Sequence, residues 1–288
     1  MPQRSVASIL TLLGVLLLSG CVRTALGLLN AGQARPQSVV FDATHRLSLD
    51  IYRPQSATGD KPPPIVVFFY GGSWKMGERG QYRFVGDKLA QNGMLAVLPD
   101  YRTYPQVKFP AFMEDAANAV AWICQHASEI GGDPSRIFIA GHSAGAHIAG
   151  LLGTDGRYLQ AVGITPKDLA GVIGVAGPYD FLPFTDDWMV DIFGSDAESQ
   201  TRSQPINFVD GDEPPFLLIY GGDDKVVWPR NSENLAVKLR QHGESVRLVK
   251  IPGIGHFRIL GGFRFSGVAP ELVPEIRRFV FETQSPAK

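Results

Sequence analysis

A serine between two glycines carries the clearest chemical signal in the chain. Ser143 lies in the pentapeptide Gly-His-Ser-Ala-Gly, after an apolar run at 137–140 and before a stretch of small residues at 144–152. An apolar, β-branched run suits a buried strand, whereas small residues suit a helix that packs closely on a sheet. The G-x-S-x-G pattern is typical of a sharp turn that exposes the serine hydroxyl at the carboxyl end of a sheet. Ser143 is therefore the candidate nucleophile.

A serine hydroxyl needs partners before it can attack. A base must take its proton, and a third group must fix the tautomer of that base. Where such a turn presents the serine, the chain order is serine, acid, histidine. His242 lies at a predicted helix end, where we expect it to face solvent, and His256 lies in a loop after the last predicted strand. We predict that His256 is the general base.

Two adjacent aspartates follow the penultimate predicted strand, where the acid should lie. Asp223 and Asp224 come directly after the strand predicted at 216–220. Asp224 precedes Lys-Val-Val and a predicted helix, and we predict that it is the acid. Asp223 is the alternative. The unused aspartate would be an ordinary turn carboxylate, because aspartate is common in turns.

Backbone N–H groups are needed to stabilise the oxyanion that forms when a carbonyl is attacked. Residues 71–74 (Gly-Gly-Ser-Trp) follow an apolar strand, and glycine lets the backbone approach a substrate closely. The predicted oxyanion hole consists of the N–H groups of Gly72 and Ser73 together with that of Ala144. An ordinary tight turn would also use Gly-Gly, so the loop alone leaves both interpretations open.

Strands and helices alternate along the chain and must position these residues. The hydrophobic pattern predicts eight strands, at 38–41, 47–52, 65–70, 94–98, 137–140, 172–176, 216–220 and 246–251. It predicts helices at 83–92, 111–130, 144–152, 231–242 and 274–281. The first two strands have the pattern of an antiparallel pair. The later alternation indicates a mainly parallel sheet with helices on both faces, which is an α/β fold.

An insertion at 181–213 has no clear period but is rich in aromatic residues, among them Phe181, Phe184 and Trp188. A long insertion of this kind is often a small lid or a pocket wall. A capping segment that does not contact substrate is the alternative.

The composition suits one large domain. The 288 residues carry a net charge of −1, with 44% hydrophobic and 19% charged residues and no long run of one sign. This balance gives no reason to expect a nucleic-acid partner. Cys21 and Cys124 lie in unrelated settings, so neither a disulfide framework nor a metal site is predicted. Cys124 lies in an apolar helical run and is expected to be a buried small hydrophobe.

The N-terminus has the pattern of a bacterial lipoprotein signal. Arg4 precedes an apolar core at 9–18 that is too short to span a bilayer comfortably. The following Leu-Ser-Gly-Cys21 resembles a lipobox, in which the cysteine is lipidated and becomes the new N-terminus. We therefore predict a signal peptide at 1–20, a lipidated tether at 21–36 and a catalytic domain at 37–288.

Several acyl chains on Cys21 would anchor the protein stably in a membrane of the bacterial cell envelope. Residue 22 is Val rather than Asp, which favours the outer membrane by resemblance to lipoprotein sorting in bacteria with two membranes. An ordinary secretory signal and an uncleaved anchor are the alternatives.

Taken together, the motifs resemble those of α/β-hydrolase esterases over about residues 37–284. They resemble the hormone-sensitive-lipase-like and carboxylesterase group, and most of all its isoprenylcysteine methylesterase and kynurenine formamidase branch. The shared motifs are Gly-Gly-Ser-Trp at 71–74, Asp-Tyr-Arg at 100–102, Gly-Gly-Asp-Pro at 131–134 and Gly-His-Ser-Ala-Gly-Ala-His-Ile at 141–148. The resemblance implies hydrolysis of a carboxylic ester or an aryl amide without a cofactor.

The chain departs from the family pattern at Tyr70, where the family usually has histidine before the glycines of the oxyanion loop. The hydrogen-bond support of that loop must therefore differ. Asp100 and Arg102 are expected to brace the loops around the site rather than to contact substrate.

Three functions are compatible with these residues. The first is a serine esterase acting on a small-molecule ester. The second is a serine peptidase or aryl-formamidase on the same fold, although the chain lacks the large extra domain that usually restricts access to such peptidases. The third is a non-catalytic binding module at the cell surface. Such modules typically lose a member of the triad, and this chain keeps Ser143, Asp224 and His256.

Replacement of the predicted lipidation site tests the anchor. Cys21→Ala should release the protein from the membrane fraction, because the acyl chains would be lost, and should leave ester hydrolysis unchanged. The measurement is the activity in membrane and soluble fractions, with Cys124→Ala as the control that stays with the membranes. Wild-type protein that is soluble and carries no acyl chain by mass spectrometry would refute the anchor.

Overall fold

The computed structural model describes Thr24 and residues 26–55 and 61–283. The predicted signal peptide at 1–20 and Cys21 lie outside the described residues. The strands of the described part are β1 (Gln37–Asp42), β2 (Leu47–Tyr52), β3 (Pro64–Phe69), β4 (Leu95–Pro99), β5 (Asp133–His142), β6 (Gly171–Val175), β7 (Phe216–Gly221) and β8 (Val246–Ile251).

These strands form one eight-stranded sheet in the order β1-β2-β4-β3-β5-β6-β7-β8. β2 pairs antiparallel with β1 and β4, while the other pairings are parallel. Every residue of β3, β4, β6 and β7 is buried. Because successive side chains of a strand point to opposite faces, both faces of the central sheet are covered. The prediction of a mainly parallel, eight-stranded α/β sheet is confirmed.

Helices follow the strands from β3 onward, and one of them is shorter than predicted. The helix that begins at Ala111 ends at His126, and residues 127–130 form turns in place of a last helical turn. Gly131 has a φ of 85°, a left-handed conformation that ends the helix and returns the chain to β5. The α-helices of the described part are α1 (Arg83–Gln91), α2 (Ala111–His126), α3 (Ala144–Thr154), α4 (Gly156–Gln160), α5 (Asp187–Phe193), α6 (Ala197–Arg202), α7 (Arg230–Gln241) and α8 (Leu272–Glu282).

The insertion at 181–213 contains α5, α6 and a 3-10 turn (Pro205–Phe208). Phe193, at the end of α5, is buried, and its ring centroid lies 4.9 Å from the ring centroid of Trp74. Phe181 stacks on the same indole at 5.9 Å. The insertion therefore packs against the loop that follows β3.

Part of the predicted tether is docked on the domain. Leu26 is buried in the core. The Asn30 side chain accepts a hydrogen bond from the N–H of Phe84 and donates to the carbonyls of Gly80 and Gln81. Asn30 thereby satisfies an N–H in the first turn of α1 that has no partner within the helix.

Nowhere in the described part of the chain is a helix long and apolar enough to cross a membrane.

The turn between β5 and α3 presents Ser143. Its φ of 55° and ψ of −122° are values that residues other than glycine rarely adopt. A Cβ on Gly141 would lie 2.3 Å from the backbone of Gly145, and one on Gly145 would lie 2.1 Å from the carbonyl oxygen of Phe69. Glycine at these two positions therefore lets β5, α3 and the end of β3 meet around the serine.

Filling one of these positions should destabilise the fold. In Gly145→Ala the new methyl group would overlap the backbone at the end of β3, so we expect the free energy of unfolding to fall by about 3 kcal/mol. Gly267→Ala is the control, because a Cβ at Gly267 meets no atom within 4 Å. The measurement is chemical denaturation of both variants. Equal midpoints for Gly145→Ala and the wild type would contradict the packing described.

Candidate active site

Ser143, His256 and Asp224 form a continuous hydrogen-bonded chain. Oγ of Ser143 lies 2.8 Å from Nε2 of His256, and Nδ1 of His256 lies 2.8 Å from Oδ2 of Asp224. Because an ionised carboxylate only accepts hydrogen bonds, His256 carries its proton on Nδ1 and presents Nε2 to the serine as an acceptor. His256 and Asp224 are buried, while Ser143 is half-buried and forms the open end of the chain. The structure thus brings together the three side chains that the sequence singles out.

Asp224 is oriented by its own loop. Oδ1 accepts hydrogen bonds from the N–H groups of Val226 and Val227, each at 2.9 Å. These bonds leave Oδ2 for the Nδ1–H of His256. A carboxylate bonded on both oxygens cannot rotate freely, so the histidine is held in one orientation and one tautomer.

The alternatives for the acid and the base lie outside this chain. Asp223 is exposed, and its N–H donates to the carbonyl of Ile254 at 3.0 Å. A Cβ on Gly221, at the end of β7, would lie 2.2 Å from that carbonyl oxygen, so glycine lets the two loops meet. His242 is exposed at the end of α7, as predicted.

The loop after β3 holds N–H groups that are free to bind an anion. Gly72, Ser73 and Trp74 have φ values of 142°, 54° and 56°. The latter two are not glycines, so their conformation is strained and persists only where the surrounding structure holds it. Within the described residues, the N–H groups of Gly72, Ser73 and Ala144 donate to no acceptor. Binding an oxyanion is the role that the sequence predicts for them.

Tyr70, where the sequence predicts a different hydrogen-bond support, holds this loop through Tyr101. Its ring stacks on that of Tyr101, with centroids 4.4 Å apart. The Tyr101 hydroxyl donates to the Tyr70 carbonyl at 2.7 Å, and the Tyr70 hydroxyl donates to the Tyr101 carbonyl at 3.1 Å. Burial raises the pKa of both phenols, so both hydroxyls remain neutral donors. The pair connects the predicted oxyanion loop to the loop that follows β4.

The charged residues of the next loop brace it, as expected. Asp100 forms an ion pair with Arg79, which also contacts Asp50 at 3.0 Å. Arg102 forms a bidentate pair with Asp115, with its shortest contact at 2.7 Å. A bidentate pair fixes geometry as well as charge. The pairs of Asp100 with Arg79 and of Arg102 with Asp115 therefore hold this loop to the rest of the domain.

Sequence reasoning missed two histidines that lie close to Ser143 in the chain. His142 is buried, and its Nε2 donates to the carbonyl of His256 at 3.1 Å. His147 is fully buried, and its Nδ1 accepts a hydrogen bond from the indole N–H of Trp74 at 3.2 Å. Burial lowers the pKa of His142 well below its usual range and that of His147 to about 4, so both rings are neutral. Their signal was the motif at 141–148 itself, which places His142 at the end of β5 and His147 in the first turns of α3.

Cys124 is half-buried against the core rather than fully buried, and burial raises the pKa of its thiol to about 11. Within the described residues, no group of three or more histidine, cysteine, aspartate or glutamate side chains is arranged to hold a metal ion.

The order of the strands and the strand-turn-helix around Ser143 define an α/β-hydrolase fold. The chain belongs to the BD-FAE family, whose model matches residues 49–239.

The individual relatives are distant in sequence. A probable isoprenylcysteine α-carbonyl methylesterase of Arabidopsis thaliana is 28% identical over 76% of this chain and 50% of that protein. An esterase of Mycobacterium tuberculosis is 31% identical over 77% of this chain and 59% of that protein. The chain therefore spans roughly half to three-fifths of the length of these relatives. A thermophilic esterase of the planctomycete Thermogutta terrifontis superposes with a TM-score of 0.70 at 25% identity, covering 86% of this chain and 92% of that one.

The two aspartates provide a matched test of the acid. In Asp224→Asn the side-chain oxygen can still accept from the loop N–H groups, which turns the amide N–H₂ toward His256. The histidine must then accept on Nδ1 and carry its proton on Nε2, where it cannot take the serine proton. We expect kcat for an ester to fall on the order of a thousandfold or more.

The control is Asp223→Asn, which makes the same chemical change on an exposed neighbour and should alter kcat by less than about threefold. A larger loss in Asp223→Asn than in Asp224→Asn would move the acid one residue back.

Proposed function

We propose that the protein is a serine hydrolase that cleaves carboxylic esters through an acyl-enzyme. The observation that carries the proposal is the hydrogen-bonded chain from Ser143 through His256 to Asp224, at 2.8 Å for each step, with the serine as its open end. Among the described residues, the N–H groups of Gly72, Ser73 and Ala144 have no acceptor, which supports the same chemistry.

In the first half of the reaction, Ser143 attacks the ester carbonyl while Nε2 of His256 takes its proton. The negative charge that develops on the carbonyl oxygen is stabilised by the N–H groups of Gly72, Ser73 and Ala144. Asp224 stabilises the imidazolium that forms and keeps its orientation. The imidazolium then protonates the leaving alcohol, and the acyl group remains on the serine.

In the second half, a water molecule takes the place of the alcohol. His256 removes a proton from this water, which attacks the acyl-enzyme carbonyl in the same oxyanion hole. Collapse of the intermediate returns the proton to Ser143 and releases the carboxylic acid. Every proton moves between the substrate, water, the serine and one imidazole, so the cycle needs no cofactor.

The relatives support an ester as the substrate. One carries the name of a methylesterase, another that of an esterase, and the Thermogutta terrifontis protein is described as an esterase with propionate-bound and butyrate-bound forms. No observation on the described residues favours a peptide or an N-formyl aryl amide. Retention of all three triad side chains in bonded geometry argues against a pure binding module.

We also propose that the mature protein is anchored to the bacterial envelope through lipid on Cys21, on the outer membrane. The Leu-Ser-Gly-Cys sequence and Val22 support this localisation. The proposal is independent of the catalytic one.

A fluorophosphonate probe and a panel of substrates test the activity. The probe should label the wild type and His242→Ala but not Ser143→Ala. The panel consists of p-nitrophenyl esters of increasing acyl length, an aminoacyl anilide and an N-formyl aryl amine. We expect turnover of esters, and preferential turnover of the anilide or the formamide would support the alternatives.

The same assay tests whether the nucleophile and base act together. Ser143→Ala and His256→Ala should each fall to a similar floor, about 10³-fold over the uncatalysed rate, because both residues take part in every step. The double variant should be scarcely worse than either single one. A double loss equal to the sum of the single losses, as found for independent sites, would count against the mechanism.

A further inference from the structure

His147 is a buried histidine that the proposed mechanism does not use. It lies one turn after Ser143 on α3, and its side chain bonds to two other segments of the chain. Nδ1 accepts from the indole N–H of Trp74 at 3.2 Å, and Nε2 lies 2.7 Å from the carbonyl oxygen of Ser203. An indole nitrogen only donates and a carbonyl only accepts, so the imidazole is neutral with its proton on Nε2.

Trp74 belongs to the oxyanion loop. It follows Ser73, whose N–H is a proposed oxyanion donor, and both have positive φ values, at 54° and 56°. A strained pair of this kind persists only where its surroundings over-determine it. Trp74 is 3% exposed, its carbonyl accepts from the N–H of Tyr104, and its side chain has His147 as its hydrogen-bond partner. The bond to His147 is thus a direct restraint on the strained segment.

Ser203 belongs to the insertion at 181–213, and it is fully buried. Its hydroxyl accepts from the side-chain amide of Gln204, whose oxygen accepts from the N–H of Phe181. The bond from His147 to the carbonyl of Ser203 therefore reaches the segment whose aromatic rings pack on Trp74.

We propose that His147 is a positioning residue that holds the oxyanion loop and the insertion in one arrangement through Trp74 and Ser203. Only the expected consequence rests on the proposed function. That consequence is that the N–H groups of the loop stay aimed at the developing oxyanion. His147 takes no proton from the substrate, because both of its ring nitrogens are occupied by these bonds. The low pKa of about 4 that burial gives the ring agrees with a neutral, structural hydrogen bonder.

Trp74→Phe removes the indole N–H and keeps a buried aromatic ring, so it tests the bond with little change in packing. We expect kcat to fall on the order of tenfold, with KM within about twofold, because the donors act on the transition state rather than on bound substrate. His147→Phe should fall by a similar factor. In the double variant the losses should not add, because both single changes remove the same bond.

The chain offers a second tryptophan–histidine pair as a control. Trp122 and His126 stack on α2 with ring centroids 4.1 Å apart, and the His126 ring bonds to the Trp122 carbonyl. Among the described residues, neither side chain shares a hydrogen bond or a ring contact with Ser143, Trp74 or His147. Trp122→Phe and His126→Phe make the same chemical changes and should leave kcat within about twofold of the wild type.

Inhibition by a trifluoromethyl ketone separates positioning from general damage. This inhibitor adds reversibly to the serine and places an oxyanion in the hole, so its inhibition constant should rise by the same factor by which kcat/KM falls. A loss of folded protein would lower the amount of active enzyme and leave the inhibition constant unchanged.

Hydrogen exchange provides a readout that does not depend on activity. Amides of the insertion and of residues 72–76 should exchange faster in His147→Phe than in His126→Phe. If the wild type hydrolyses no ester, the proposed function fails, and this comparison alone decides whether His147 holds the two segments. Exchange equal in the two variants would overturn the proposal. If the enzyme is active, a Trp74→Phe variant whose kcat and inhibition constant match those of the control pair would also overturn the proposal.

Discussion

Around Ser143, the ends of β3 and β5 and the start of α3 approach so closely that two positions accept only glycine. A Cβ on Gly145 would lie 2.1 Å from a carbonyl oxygen of β3, and one on Gly141 would lie 2.3 Å from Gly145. The same crowding holds the serine at a φ of 55° and keeps the start of α3 beside the oxyanion loop. The position of Ser143 and of the N–H groups around it therefore follows from one close contact between backbones. Parallel strands bring their carboxyl ends to one edge, where the loops after β7 and β8 add Asp224 and His256.

Three histidines lie close to Ser143. They differ in the atoms that their ring nitrogens contact. His256 contacts a carboxylate through Nδ1 and a hydroxyl through Nε2, which is the arrangement of a group that carries a proton. His142 and His147 face carbonyl oxygens and an indole, so they act only as neutral hydrogen bonders. Desolvation lowers the pKa of both, since neither has a carboxylate to favour its charged form. In the proposed mechanism, identical side chains thus take different roles because of a single neighbouring charge.

The sequence was sufficient to predict the sheet and the bonded chain of serine, histidine and aspartate. Buried strands read as continuous apolar runs, and the order of serine, acid and histidine leaves few candidates, so Asp224 and His256 could be found. The catalytic roles of these residues and of the oxyanion donors remain predictions. The packing of Leu26 and Asn30 on the domain was not predicted, because a short segment that mixes apolar and polar residues also has the pattern of a tether. The partners of His142 and His147 depend on long-range contacts, which local patterns do not encode. The reciprocal bonds of Tyr70 and Tyr101 were hidden for the same reason.

Rapid-quench mass spectrometry of the acylated protein tests most directly whether Ser143 carries the acyl group. The enzyme would be mixed with p-nitrophenyl acetate, quenched in acid within the first turnover, digested and sequenced by fragmentation. Attack by Ser143 through His256 predicts one acetyl group on the peptide that contains Ser143, with a matching burst of p-nitrophenol. Turnover without an acyl group on Ser143, or an acetyl group that accumulates on another residue at the rate of the burst, would contradict the mechanism.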